Sequence, residues 1–278
     1  MTTMRKLPIG IQSFENIRNE NYLYVDKTAL IYQLVTKGKP YFLSRPRRFG
    51  KSLLISTLEA YFQGKKELFK GLAIDQLEQD WNVYPVLHLD LNARKYESEA
   101  DLVAILNQYL EMWEADYGDE MKLRAPEERF FYVIRRAWEQ TGRQVVVLID
   151  EYDKPLLQTI HNEPLQEAYR HIMKAFYGVL KSADRYLRFV FLTGVTKFAQ
   201  VSVFSDLNQL NDISLDYDYA TLCGITHAEL VDNLTPELEQ LGQMQSLSRE
   251  GTVETMVRQY DAVSYTHLRA HETGRNLV

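Results

Sequence analysis

Apolar residues along this chain follow two rhythms, short unbroken runs and longer stretches with three-and-four spacing. The runs are Tyr41-Phe42-Leu43-Ser44, Val86-Leu87-His88-Leu89-Asp90-Leu91, Val145-Val146-Val147-Leu148-Ile149 and Arg188-Phe189-Val190-Phe191-Leu192-Thr193. Runs this short, rich in branched and aromatic residues, predict strands. Residues 145–149 are apolar at every position, as expected where helices cover both faces of a parallel sheet. The helical spacing predicts helices at 51–62, roughly 98–117, 126–141 and 163–183. Residues 22–25 are strand-like, with Asp26 as cap of a helix over 27–36, and a weaker strand is predicted at 212–216. Thr226-His227-Ala228-Glu229 has the form of a capping box opening a helix to about Leu241. Strands alternating with helices imply an α/β fold with a doubly wound parallel sheet. Ligand chemistry then belongs at the carboxyl ends of the strands.

Two of those ends change chemistry abruptly. The first strand runs into Arg45-Pro46-Arg47-Arg48-Phe49-Gly50-Lys51-Ser52, and a helical pattern starts at once. Phosphate binding needs a strand, a tight turn of backbone N–H groups and a helix N-terminus in this order. The usual Walker A pattern is Gly-x-x-x-x-Gly-Lys-Ser/Thr. Gly50, Lys51 and Ser52 fill its second half, whereas Arg45 stands where the first glycine belongs. Gly50 would let the backbone approach phosphates, Lys51 would neutralise their charge and Ser52 would ligate Mg²⁺; Arg48, Phe49 and Leu53 flank them in the cofactor-binding stretch. The third strand runs into Asp150-Glu151. At the end of a central strand such a pair suits Walker B chemistry, with Asp150 on the metal and Glu151 on the attacking water. Asp153-Lys154-Pro155 predicts a helix start with Asp153 as its cap. Thr193 ends the fourth strand, either as a polar sensor of the γ-phosphate or simply as a β-former; Lys197 is expected to be a solvated surface lysine.

Composition narrows the field. A chain of 278 residues with 45% hydrophobic and 25% charged content is long enough for one large α/β domain with a small appendage. Its net charge of −6 gives no support for a protein that coats nucleic acid. Cys223 is the single cysteine, which suits a reducing cytoplasm. No apolar run approaches the ~20 residues needed to span a bilayer. The expectation is a cytoplasmic protein without a membrane partner. His267 and His271 have helical spacing without a third zinc ligand, Glu120-Met121-Lys122 lacks the strand hairpin of a nuclease metal motif, and no guanine-reading Asn-Lys-x-Asp is present.

Tyr24-Val25-Asp26-Lys27-Thr28, Arg45 to Leu53, Asp150-Glu151-Tyr152-Asp153-Lys154-Pro155, Leu192 to Phe198 and Val203 to Asn208 together resemble the AAA-ATPase-like family of prokaryotic proteins over about residues 7 to 240. In that family the missing first glycine is normal. The resemblance implies an additional-strand P-loop ATPase core, with one strand inserted between those carrying the two motifs. It implies ATP and Mg²⁺ as ligands, with Arg48, Phe49, Gly50, Lys51, Ser52 and Leu53 binding the nucleotide, Ser52 and Asp150 the metal, and Glu151 and Thr193 serving catalysis. The expected organisation is a leader (1–38), an ATPase core (39–222), a partial helical lid (223–262) and a tail (263–278). From about Ser264 that tail resembles translated sequencing adapter and is expected to be non-native or disordered. Members similar to this chain often continue into a PD-(D/E)xK nuclease-like domain, and no nuclease activity is carried over. The expected function is Mg²⁺-dependent ATP binding and hydrolysis; the alternative is a non-hydrolysing, nucleotide-dependent switch or interaction module. A nucleoside triphosphate is the expected partner, with nucleic-acid or protein partners left open. No arginine finger is assigned from the sequence; Arg170, Arg185 and Arg188 are candidates only as basic residues in the second half of the core.

Overall fold

Among the described residues five parallel strands form one sheet: β1 (Tyr41–Ser44), β2 (Val86–Asp90), β3 (Val145–Asp150), β4 (Leu187–Gly194) and β5 (Asn211–Asp212), in the order β2-β3-β4-β1-β5. β4 thus lies between the strand that leads into the basic loop and the strand that leads into the acidic pair. This is the additional-strand α/β architecture that the family resemblance implied. The computed structural model describes residues 6–38, 40–197, 210–256 and 258. The stretch 203–208 used in the family resemblance, His267, His271 and the tail 263–278 lie outside the described residues.

Side chains alternate across a strand, so each strand feeds two cores. Val146, Leu148, Phe189 and Phe191 pack with helices α1 (Phe14–Asn19), α2 (Thr28–Lys37) and α3 (Lys51–Phe62). Val145, Val147, Ile149, Val190 and Leu192 pack with helices on the opposite face. After the short α4 (Ala73–Leu77), that second layer comprises α5 (Glu99–Tyr117), α6 (Pro126–Thr141) and, after the short α7 (Lys154–Gln158), α8 (Glu163–Ser182). Every residue of β3 is buried, which is why its sequence shows no alternation. α9 (His227–Asn233) and α10 (Thr235–Gln245) pack on the leader through Leu23, Leu234, Leu238 and Val253.

Three local expectations are corrected. Residues 22–25 are not a strand: Tyr22 makes a single bridge to Lys6, and Asp26 ends the extended stretch. The Asp26 carboxylate accepts from Thr28 N at 2.8 Å and from Ala73 N at 2.7 Å, fastening α2 to α4. The helix predicted from Thr226 to about Leu241 is two helices. Its capping box at Thr226 and Glu229 forms, but Pro236 cannot donate to a continuing ladder, so the chain restarts at Thr235. The weak strand at 212–216 is reduced to Asn211–Asp212. The short α1 and α4 carry too few residues to show a period. Among the described residues no helix is long and apolar enough to cross a membrane.

Gly194 closes β4 against Tyr152, and an added Cβ would stand 2.6 Å from Tyr152 Cδ1 and 2.9 Å from Asp153 Oδ1. Gly194→Ala should therefore lower stability by about 1–3 kcal/mol in denaturant unfolding. Gly178→Ala, in α8 with open space around it, should be neutral or stabilising by up to about 1 kcal/mol. Equal effects would remove the steric argument.

His88 of β2 hydrogen-bonds Glu59 of α3 at 3.0 Å. Burial pulls the imidazole pKa down, but the hydrogen bond and charge of Glu59, with Asp150 and Asp90, leave it raised. The same hydrogen bond holds Glu59 below the ordinary carboxylate range against the cost of burial. Stabilisation by the pair is present above about pH 4.3 and below about pH 6.5, and is lost as pH rises through the raised pKa of His88. The melting-temperature advantage of wild type over His88→Gln should shrink by about 1–3 °C between about pH 6 and about pH 8.5.

Candidate functional site

β1 delivers the chain into the loop 45–50 at the carboxyl edge of the sheet. Arg48 (φ 67°) and Gly50 (φ 86°) both adopt left-handed backbone, and α3 begins at Lys51. Left-handed turns of this kind curl successive N–H groups toward one point, and the first turn of a helix adds its own unpaired N–H groups. Glycine reaches this conformation without strain; Arg48 does so at a cost. The three loop arginines separate by role. Arg47 and Arg48 are exposed and line a cavity, whereas Arg45 is buried and turned away from it. Lys51 is also buried; its Nζ donates to the carbonyls of Arg45 (3.1 Å) and Pro46 (3.2 Å) and pairs with Glu151 Oε1 at 3.2 Å.

The acidic pair is held from β4. Thr193 is fully buried; its hydroxyl donates to Asp150 Oδ1 and accepts from Glu151 N at 3.3 Å. Glu151 has left-handed backbone (φ 53°), which turns the chain sharply at the end of β3. Behind it, Tyr152 N donates to the Thr193 carbonyl at 2.9 Å and Tyr152 Oη to the Thr196 carbonyl at 3.0 Å. Asp153 stands at the cap position of α7, but its side chain makes no cap bond. Its fully buried carboxylate instead accepts from Val195 N (3.0 Å), Thr196 N (2.7 Å) and Thr196 Oγ1 (2.9 Å). The sequence expectation of a simple helix cap is corrected accordingly: three donors from the turn after β4 outcompete one helix N–H.

Around this centre, Asp90 ends β2 in register with Asp150, and burial together with the Asp150 charge raises its carboxyl pKa. Lys197 is half-exposed and pairs with Asp212 at 2.8 Å. The expected finger candidates lie elsewhere. Arg185 and Arg188 belong to the amino-terminal edge of β4, where Arg188 donates to the Val35 carbonyl at 3.1 Å. Arg170 pairs with Glu167 on α8 at 2.9 Å.

A cavity of about 850 Å³ joins the loop to an apolar recess. Gly50, Lys51, Ser52 and Glu151 line its polar side; Ile9, Ile11 and Val25 of the leader and Leu222 and Ile225 after β5 line the other. Arg48, Phe49 and Leu53 also face it, while Asp150 and Thr193 stand behind its wall. Lys27 lines the recess and pairs with Glu229 of α9. Cys223 sits at the junction; burial pushes its thiol up to about 11 against the pull of Arg45 and Lys51. Arg45 and Asp153 were not marked as site residues by their local pattern, because each holds a partner far along the chain.

A curated protein from Azotobacter chroococcum mcd 1, described only as an uncharacterized protein in the vnfD 5' region, is 42% identical over 239 residues, which is 85% of this chain and 46% of that protein. The chain thus spans less than half the length of that relative. No solved structure matches. The model of the AAA-ATPase-like family, described as "Predicted AAA-ATPase", matches residues 8–204, a span holding the loop, the acidic pair and all of β4. With that match and the additional-strand sheet behind it, the chain belongs to the AAA-ATPase-like family.

Proposed function

We propose that the chain binds ATP with Mg²⁺ and hydrolyses it. The observation that carries this proposal is the 3.2 Å pair between Lys51 of the loop and Glu151 after β3. It brings a phosphate-binding cation and a water-activating carboxylate to one point at the carboxyl edge of the sheet. In the proposed complex the phosphates lie on residues 48–53 and the base enters the apolar recess. The γ-phosphate takes over Lys51 Nζ from Glu151. The freed Glu151 carboxylate orients a water and accepts its proton as the water oxygen bonds to phosphorus; the bond to the bridging oxygen breaks, leaving ADP and phosphate. Thr193 acts through Asp150 and Glu151, fixing both.

Among the described residues no group of three or more His, Cys, Asp or Glu could hold a metal by itself. The donor set of one hydroxyl and one carboxylate fits Mg²⁺, which keeps several waters and draws on phosphate oxygens. Ser52 and Asp150 would hold it, and when bound it supplies charge neutralisation on the β- and γ-phosphates. The switch alternative draws support from the Lys27–Glu229 pair, which ties the recess to α9 and gives bound nucleotide a route to a helical surface.

Two variants test the proposal. MgATP at about a hundred times Kd should stabilise wild type by ~2.7 kcal/mol, seen as a rise in melting temperature, and Lys51→Ala should lose that rise. Undiminished stabilisation in Lys51→Ala would sink the phosphate-loop assignment. Glu151→Gln should bind MgATP at least as tightly as wild type, because Lys51 loses a charged resting partner, while steady-state ADP release falls by about 10²–10⁴-fold. Wild-type binding without measurable turnover would favour the switch.

A further inference from the structure

Arg45 stands where the Walker A pattern has its first glycine, and it buries a charged side chain there. Its exposure is only 4%, and burial pulls its pKa down. Among the described residues its Nε finds no hydrogen-bond partner. A buried guanidinium with an unmatched N–H is a poor device for stability alone, because an apolar side chain would fill the space without that desolvation cost. The contacts it does make share a direction. Nη1 donates to the carbonyls of Ser214 (2.6 Å) and Ser44 (3.0 Å), and Nη2 lies 3.5 Å from the Tyr219 carbonyl. Meanwhile the main chain of Arg45 donates to the Gly194 carbonyl at 3.1 Å and accepts from Lys51 Nζ.

The segment that Arg45 grips leads directly into Leu222, Cys223, Gly224 and Ile225, which wall the apolar recess. A second tie runs parallel to it. Gly224 N donates to the Phe49 carbonyl at 3.0 Å, and an added Cβ on Gly224 would touch the Phe49 ring at 3.4 Å. Loop and recess wall are thus joined at both ends of the loop. A planar guanidinium can span two carbonyls of one turn; a lysine ammonium, a single point charge, cannot do so with fixed geometry.

We propose that Arg45 is a positioning residue that couples the phosphate loop to the recess wall at 222–225, so that one ligand engages both halves of the cavity in register. The proposal rests on the nucleotide reading of the site. It predicts that Arg45 contributes more to binding of a nucleoside triphosphate than to binding of a bare polyphosphate. A group that touches phosphate directly would contribute at least as much to the latter.

The test uses the full chain and the variants Arg45→Met and Arg45→Lys, with circular dichroism to check folding. Affinities for MgATP and for Mg-tripolyphosphate are measured by calorimetry. Cys223, the single cysteine, also reports on the wall through its rate of labelling by a thiol reagent without ligand. The preference of wild type for MgATP over tripolyphosphate should shrink by about tenfold in both variants, with tripolyphosphate affinity little changed. Cys223 should label about tenfold faster in both, as the wall loosens. Equal losses for both ligands, or an unchanged preference, would overturn the coupling. If wild type binds neither ligand, the nucleotide reading fails by itself, and unchanged labelling of Cys223 still overturns the coupling. If Arg45→Met does not fold, Arg45→Lys carries the same comparison.

Discussion

The carboxyl ends of β3 and β4 are fastened by bonds that no helix or sheet requires. Asp153 accepts from Val195 and Thr196, Tyr152 donates to the carbonyls of Thr193 and Thr196, and Thr193 bridges Asp150 and Glu151. Glu151 sits in left-handed backbone, a conformation that costs energy for any residue with a Cβ. Such strain persists only where the surroundings over-determine it, and this network supplies that determination. The absence of a side chain on Gly194 belongs to the same device, since Tyr152 occupies the space a Cβ would need. Everything proposed for Glu151 depends on this fastening.

The basic loop is organised by charge as much as by shape. Lys51 rests on two carbonyls and on Glu151, so the cation is neither bare nor irreversibly committed. Each contact holds Lys51 at the mouth of α3, where an anionic ligand would also meet the helix N-terminus. Arg47 and Arg48 present charge to the cavity, while Arg45 spends its charge inward on carbonyls of the wall. The loop therefore replaces the flexibility of a first glycine with a side-chain strut. The recess beyond is built from two distant segments, Ile9 and Ile11 near the start of the chain and Leu222 and Ile225 after β5. Its shape thus depends on how leader and C-terminal segment meet, and Lys27 with Glu229 is part of that meeting.

Much of this was legible in one dimension. The strands expected at 41–44 and 145–149, and the helices at 51–62 and 126–141, were announced by apolar runs and by three-and-four spacing, signals that each lie within a few residues. Residues 22–25 misled because four aromatic and aliphatic residues in a row mimic a strand, while Asp26 turns the chain toward Thr28 and Ala73. The helix after Thr226 misled because one proline restarts it.

The alternation of strand and helix, the order of loop before acids and the residue types at both strand ends can be read from the amino-acid order alone. These rest on local periodicity and local backbone preference. What those residues hold comes from packing between distant segments: Asp153 finds its partner 42 residues away, Arg45 grips a carbonyl 169 residues away, and Lys27 meets a carboxylate 202 residues away. A buried carboxylate or guanidinium must satisfy its hydrogen bonds wherever the fold brings donors and acceptors, and that choice has no signature in the residues beside it.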